Sequence, residues 1–119
     1  MAREALLARG APRWHGLQRG SQVEPAQAQV GSRATVLFDS GVRSGLDVVR
    51  AVALGAHAAF AGKAMLWGLG ALGGEGPKHV IDLLIDETRA ALGQIGAKTP
   101  ADARSVVIRH PGALAFPRG

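Results

Sequence analysis

Residues 34–63 have the sequence ATVLFDSGVRSGLDVVRAVALGAHAAFAGK and carry the clearest structural pattern in the chain. The stretch opens with a short, β-branched apolar run that ends at Asp39, as is typical of a buried strand in a parallel sheet. After a turn rich in Gly, Ser and Arg, Ser44 is a suitable N-cap for a helix over residues 45–54. A second short apolar run follows at residues 57–62. A strand, a helix and a strand within about thirty residues predict a right-handed βαβ unit, and therefore an α/β fold.

Two further helices are predicted downstream of this unit. Residues 64–72 are apolar and end at a Gly-Gly pair, and Pro77 suits the first turn of a longer helix over residues 77–92. The apolar residues of the longer helix keep most of the i, i+3, i+4 spacing of an apolar stripe, with Glu87 as the one interruption. The stripe consists of Val80, Leu83, Leu84, Ala91 and Leu92.

The chain divides into three regions of different composition. In residues 1–33, helical patterning is confined to Glu4–Ala8, and the Gly, Pro, Gln and Arg that follow predict an irregular or disordered basic segment. Residues 34–104 hold the predicted strands and helices and end with a short helical turn that Thr99 opens as N-cap. Residues 105–119 are predicted to form a Pro/Gly-rich C-terminal tail.

Composition restricts the class of protein. The 119-residue chain has a formal net charge of +5, and eleven of its fourteen cations are Arg, which suits phosphate and carboxylate partners. Because these charges are scattered, they favour a solvated basic surface over a nucleic-acid-binding one. The absence of Cys excludes disulfides and thiolate metal sites. The N-terminus lacks the apolar run of a secretory signal and the uncharged runs are too short to span a membrane, so a cytoplasmic location is expected.

A candidate anion site lies after the two predicted strands, since ligands of parallel α/β proteins bind beyond the carboxyl ends of the strands. Gly41 allows close backbone approach, and Arg43 offers a planar fork to phosphate oxygens. Gly62 and Lys63 repeat this combination after the second strand. In the alternative interpretation, the glycines only form turns and Arg43 pairs with Asp39. The residue pattern leaves both interpretations open.

Three consecutive segments carry a family resemblance: DSGVRSGLDVVRAVALGA, AGKAMLWGL and GGEGPKHVIDLLIDETRAALGQIGAKTPADAR. They resemble the C-terminal part of the FMN-dependent 2-hydroxy acid dehydrogenases, the lactate dehydrogenase and glycolate oxidase family, from Val36 to Arg104. The resemblance implies a (β/α)8 TIM barrel, of which residues 36–92 would be the last two βα units, with a C-terminal helix. The chain would then be a fragment, since such a barrel needs about 250 residues.

The same resemblance implies FMN as the cofactor and assigns roles to five residues. Asp39 corresponds to the acidic residue near the ribityl chain of FMN. Gly41, Arg43, Gly62 and Lys63 would contact the FMN phosphate. The family usually has Arg where this chain has Lys63, and Lys keeps the positive charge but loses the bidentate fork.

The catalytic residues of the family are not recognised in this chain. The resemblance implies transfer of a hydride equivalent from a 2-hydroxy acid to the flavin, with a His base and a substrate-binding Arg in an Asn-His-Gly-Gly-Arg-type motif. Residues 14–19, WHGLQR, contain His15 but lack the Asn and place Arg19 one position too far along. We therefore assign no catalytic residue, and we expect residues 1–33 to be unrelated to the family.

The other candidate ligands have structural interpretations. His57 is expected to open the second strand and to face a helix, His79 lies on a helix face, and His110 lies in the tail. No pair of histidines has convincing metal-ligand spacing, so no metal site is predicted. Trp67 is expected to pack rather than to support a flavin.

Three classes of function follow. The first is a flavin oxidoreductase segment that binds the FMN phosphate, is inactive alone, and meets a 2-hydroxy acid only if the rest of the barrel is supplied. The second is an interaction fragment whose exposed apolar faces need a partner chain or self-association. The third is a basic module that binds polyanions through residues 1–33.

Overall fold

The computed structural model describes residues 4–9 and 33–106, whose three strands form one parallel sheet. The strands are β1 (Glu4–Arg9), β2 (Ala34–Asp39) and β3 (Ala58–Phe60), and they lie in this order across the sheet. Phe60 is the register partner of Asp39. The carboxyl ends of β2 and β3 therefore lie side by side.

Strand β1 corrects the prediction that residues 1–33 are irregular with helical patterning at Glu4–Ala8. Its six residues pair in parallel with the six residues of β2. The sequence EALLAR contains good helix formers, but helix propensity is weak and is overridden when a neighbouring strand offers a full ladder of backbone partners. The remainder of the predicted irregular segment, residues 10–32, lies outside the described residues.

Helix α1 (Gly45–Ala53) begins and ends within one residue of its predicted bounds because its signals are local. The hydroxyl of Ser44 accepts a hydrogen bond from the Asp47 amide at 3.2 Å, and the Asp47 carboxylate accepts one from the Ser44 amide at 3.2 Å. This reciprocal capping box satisfies two of the amides that a helix start leaves without partners. The helix ends as predicted before Gly55, whose φ is 109°.

Two small clusters form the core on either side of α1. The first lies between α1 and the sheet and consists of Val36, Phe38, Val42, Ala51 and Ala56. The second packs α1 against the C-terminal part of the chain and consists of Val49, Leu92 and Ala103. Both clusters are built from small side chains, each of which buries little apolar area.

Helices α2 (Gly62–Leu72) and α3 (Gly76–Gln94) are joined by a single 3-10 turn. They pack backbone to backbone where Gly68 meets Gly76, since a Cβ atom added at Gly76 would overlap the carbonyl group of Gly68. The predicted helices over 64–72 and 77–92 are confirmed, and each is longer than predicted by about two residues or less at either end.

The predicted apolar stripe of α3 is buried over only a small part of its length. Leu92 is buried, but Leu83 is 48% exposed, and Val80, Leu84 and Ala91 are only half-buried. Over the first three turns of α3, the described part of the chain supplies too little partner surface to cover this apolar face. Periodicity indicates which face is apolar, but it does not supply the element that covers that face.

The described chain ends with a short 3-10 helix at Pro100–Ser105, which confirms the helical turn predicted after Thr99. Thr99 is the N-cap as predicted, and its backbone and side-chain hydrogen bonds to the carboxylate of Asp102 lower the pKa of that carboxyl. The guanidinium of Arg104 donates a 3.4 Å hydrogen bond to the carbonyl of Ala56, which ties this helix to the end of α1. The predicted tail lies outside the described residues from position 107 onward.

Candidate functional site

The five predicted site residues lie at one edge of the sheet. Asp39 is the last residue of β2, and its register partner is the last residue of β3. Gly41 and Arg43 follow β2 by two and four residues, whereas Gly62 and Lys63 follow β3 and open helix α2. The starts of α1 and α2 therefore both lie at the carboxyl edge of the sheet, as the sequence predicts.

The turn after β2 has an uncommon backbone. Both Ser40 and Gly41 have positive φ values, 77° and 85°. Gly41 adopts this conformation at little cost, whereas an L-residue such as Ser40 pays about 1–2 kcal/mol in the left-handed region. The glycine that the sequence singled out is thus required by the turn itself.

Arg43 does not form the salt bridge that the alternative interpretation assigned to it. None of the ion pairs within residues 33–106 involves Arg43 or Asp39. The exposed Arg43 guanidinium instead lies 5.2 Å from the ring centroid of Trp67 on α2. A guanidinium held by cation–π stacking keeps its edge available for an anion.

Trp67 contacts a candidate site residue, which the sequence alone did not predict. It is 53% exposed, and its ring supports Arg43 instead of packing into the core. One signal could have indicated this, because Trp67 follows Lys63 by four residues and so shares its helix face.

The start of α1 is already supplied with hydrogen-bond acceptors. The Asp47 carboxylate accepts from the amides of Arg43 at 3.0 Å and Ser44 at 3.2 Å. The Glu87 carboxylate, from α3, accepts from the amide of Gly45 at 2.7 Å. Two carboxylates and satisfied amides leave little attraction for an anion at this helix start.

The start of α2 has the opposite character. Its N-cap is Ala61, no side chain caps it, and its first turn contains no acidic residue. Gly62 and Lys63 are both exposed there, and a Cβ atom added at Gly62 would meet no other atom within 4 Å. The packing of the described chain therefore does not require a glycine at this position. Uncapped amides and a lysine are chemically suited to a phosphate.

His57 has a structural role that differs from the predicted one. Its Nδ1 accepts a 3.1 Å hydrogen bond from the Val36 amide, and its own amide donates to the Val36 carbonyl at 2.8 Å. It therefore continues the pairing of β3 with β2 instead of facing a helix. The other predicted candidates, His15 and the WHGLQR segment, lie outside the described residues, as does His110.

Two negative findings apply to residues 4–9 and 33–106. No helix there is both long and apolar enough to cross a membrane. Those residues also contain no group of three His, Asp or Glu side chains that could hold a metal ion.

Fold and site together define an α/β protein whose candidate anion-binding residues lie at the carboxyl edge of a parallel sheet. The sequence profile of the FMN-dependent dehydrogenase family matches residues 21–110, which is more than half of the chain. The chain belongs to this family, and FMN is the cofactor of the family.

Individual relatives agree with this assignment. An L-lactate dehydrogenase of Acinetobacter baylyi is 44% identical over 88 residues, which cover 73% of this chain and 23% of that protein. An FMN-dependent alpha-hydroxy acid dehydrogenase of Penicillium citrinum is 42% identical over 88 residues, or 71% of this chain and 22% of that protein. The chain spans less than a quarter of the length of these two relatives.

Solved structures of a mandelate oxidase resemble the described fold. A variant with a monooxide FMN adduct is 38% identical, with a TM-score of 0.68 over 71% of this chain and 27% of that one. The structure of the mandelate oxidase with benzoyl-formic acid is also 38% identical, with a TM-score of 0.68. That match covers 71% of this chain and 25% of the mandelate oxidase chain.

The family match corrects one expectation about the N-terminal region. Residues 1–33 were expected to be unrelated to the family, but the match begins at residue 21. The resemblance was carried by glycine-rich loops and charged positions, and residues 21–33 contain no such motif. A relationship in that stretch is therefore detectable only from the family profile.

Proposed function

We propose that this chain supplies the FMN-phosphate-binding corner of an FMN-dependent 2-hydroxy acid dehydrogenase or oxidase, and that it is inactive alone. The observation that carries the proposal is the contrast between the two helix starts. The start of α1 is filled by the carboxylates of Asp47 and Glu87, whereas the start of α2 has no side-chain cap and an open space at Gly62. A phosphate placed there completes the hydrogen bonding of α2.

Two cations complete the proposed phosphate site. Lys63 lies in the first turn of α2, and Arg43 lies across from it over the ring of Trp67. The guanidinium would bind two phosphate oxygens, and the ammonium would add a single point charge. This arrangement neutralises the phosphate dianion between two neighbouring βα loops.

Asp39 would orient the remainder of the cofactor. Its half-buried carboxylate lies at the end of β2, within the same edge of the sheet. A carboxylate is an acceptor for hydroxyl groups, such as those of a ribityl chain. Bound FMN would supply the acceptor for the hydride equivalent that is removed from a 2-hydroxy acid, which becomes a 2-oxo acid. The residues described in this chain bind and orient the cofactor and take no part in the proton transfer.

Exposed apolar surface supports the view that this corner belongs to a larger (β/α)8 barrel. Three parallel strands in sequential order are three of the eight that such a barrel needs. Large apolar side chains remain exposed on β3 and α2, including Phe60 at 49%, Leu66 at 65% and Leu72 at 53%. Such surface requires the remaining barrel elements, a partner chain or self-association. Oxidation of a 2-hydroxy acid is expected only when those elements are present.

Comparison of FMN with riboflavin tests the phosphate site directly. The chain is expected to bind FMN and to bind riboflavin at least tenfold more weakly, because only FMN carries the phosphate that the charged donors recognise. Lys63→Ala should weaken FMN binding about tenfold, the size of one charge-assisted contact. The measurement is quenching of flavin fluorescence on titration with the protein.

Lys78→Ala is the matched control for this experiment. Lys78 is an exposed lysine on α3 whose ammonium pairs with Asp82, so its removal changes the net charge equally without touching the site. Equal binding of FMN and riboflavin, or equal effects of the two lysine variants, would contradict a phosphate site at α2.

A methyl group at Gly62 should separate stability from binding. Gly62→Ala is expected to raise the free energy of unfolding by up to about 1 kcal/mol, because alanine is the better helix former and the added methyl group meets open space. The same methyl group would occupy the space proposed for the phosphate, so FMN affinity should fall about tenfold while riboflavin binding stays constant.

Gly93→Ala is the control, since an added Cβ atom at that position of α3 also meets nothing within 4 Å. It should raise stability similarly and leave FMN binding unchanged. Urea unfolding and fluorescence titration measure the two effects. Undiminished FMN binding by Gly62→Ala would show that the phosphate does not approach this glycine.

A further inference from the structure

Glu87 makes an unusual contact for a residue in the middle of a surface helix. It interrupts the apolar stripe of α3, yet its Oε2 accepts a 2.7 Å hydrogen bond from the amide of Gly45, 42 residues away in the sequence. Gly45 is the first residue of α1 and is buried. The carboxylate of α3 thus supplies an acceptor at the start of a different helix.

The backbones of α1 and α3 are in close contact at this point. A Cβ atom added at Gly45 would overlap the Thr88 amide and lie 2.7 Å from Cβ of Glu87. The start of α1 therefore rests directly on the backbone of α3. Because the contact combines close packing with a charge-assisted hydrogen bond, it fixes both the position and the direction of α1.

Arg43 depends on this contact through a short chain of bonds. Its amide donates at 3.0 Å to Asp47, which lies in the first turn of α1, and its guanidinium stacks on Trp67 of α2. Movement of the α1 start would carry the Arg43 backbone with it and withdraw the guanidinium from the ring. Glu87 itself is separated from Arg43 by this helix start.

We propose that Glu87 is a positioning residue for the anion site: by holding the start of α1 on α3, it keeps Arg43 on Trp67 beside the open start of α2. The inference rests on the proposed phosphate-binding function and adds a residue to it that binds no ligand.

Four variants at two adjacent positions test this role by FMN titration. Glu87→Ala and Glu87→Asp should each weaken FMN binding about tenfold, since the first removes the acceptor and the second shortens its reach. Glu87→Gln retains an oxygen acceptor of the same length, so its affinity should stay within about twofold of the wild-type value. Asp86→Ala removes the neighbouring exposed carboxylate, which pairs with Arg89, and should have no effect. Riboflavin binding should be equal in all variants.

A ligand-free measurement keeps this test separate from the proposed function. In an NMR spectrum of the free chain, the ring current of Trp67 should change the chemical shifts of the Arg43 side-chain protons. We call this change the Arg43 displacement. Glu87→Asp should remove that displacement, whereas Glu87→Gln and Asp86→Ala should keep it. If Glu87→Ala does not fold, the comparison of the Asp and Gln variants carries the test.

The outcomes distinguish the two proposals. The positioning role is overturned if Glu87→Asp keeps the Arg43 displacement. It is also overturned if the wild-type chain binds FMN and Glu87→Asp binds it as tightly as Asp86→Ala does. A third outcome separates them: the wild-type chain shows the Arg43 displacement and Glu87→Asp loses it, but the wild-type chain binds no FMN. This outcome rejects the phosphate site and retains the positioning role of Glu87.

Discussion

Replacement of Gly76 by alanine is expected to lower the free energy of unfolding by about 3 kcal/mol or more, the upper range for overpacking a tight contact. The methyl group would overlap the carbonyl of Gly68, so the clash is with backbone and not with a side chain that can rotate away. Helices α2 and α3 would have to separate along their crossing. Urea unfolding followed by circular dichroism measures the loss.

Two further variants make this prediction specific. Gly68→Ala should be similarly destabilising, because its added methyl group would lie 2.7 Å from the carbonyl oxygen of Gly76. Gly70→Ala, two residues along the same helix, meets nothing within 4 Å and should stabilise the chain by up to about 1 kcal/mol. Equal effects of Gly76→Ala and Gly70→Ala would show that the helices can separate without cost.

The features that the sequence predicted correctly depend on near neighbours in the chain. The start of α1 follows from Ser44 and Asp47, which cap each other, and the turn into the 3-10 helix follows from Thr99 in the same way. The features that were missed depend on distant partners. Strand β1 exists beside β2 despite a helix-forming sequence, and Leu83 stays exposed despite a helical stripe.

The candidate site residues also differ in whether they could be predicted from the sequence. Gly41, Arg43 and the Gly62-Lys63 pair could be located from the rule that ligands bind beyond strand ends, together with the family resemblance. Trp67 and Glu87 could not, because their roles are contacts with residues of other elements. Glu87 was visible only as an irregularity in an apolar stripe, and a polar interruption of this kind is informative when a neighbouring helix start needs an acceptor.

Removal of the Arg43 side chain should have the largest effect on binding. Arg43→Ala is expected to weaken FMN binding about a hundredfold, because two parallel charge-assisted hydrogen bonds to the phosphate are lost together. Arg43→Lys keeps the charge but loses the planar fork and its stacking on Trp67, so a loss of about tenfold is expected. Flavin fluorescence titration at low salt measures both.

Arg89→Ala is the matched control for this substitution. Arg89 is an exposed arginine of α3 that pairs with Asp86, so it shares the charge and exposure of Arg43 but lies away from the sheet edge. Its removal should leave the FMN affinity within about twofold of the wild-type value, since an exposed ion pair of this kind contributes little free energy. If Arg43→Ala and Arg89→Ala weaken FMN binding equally, the interaction reflects the net positive charge of the chain. A loss confined to Arg43→Ala, with riboflavin binding unchanged, requires a guanidinium that recognises the phosphate.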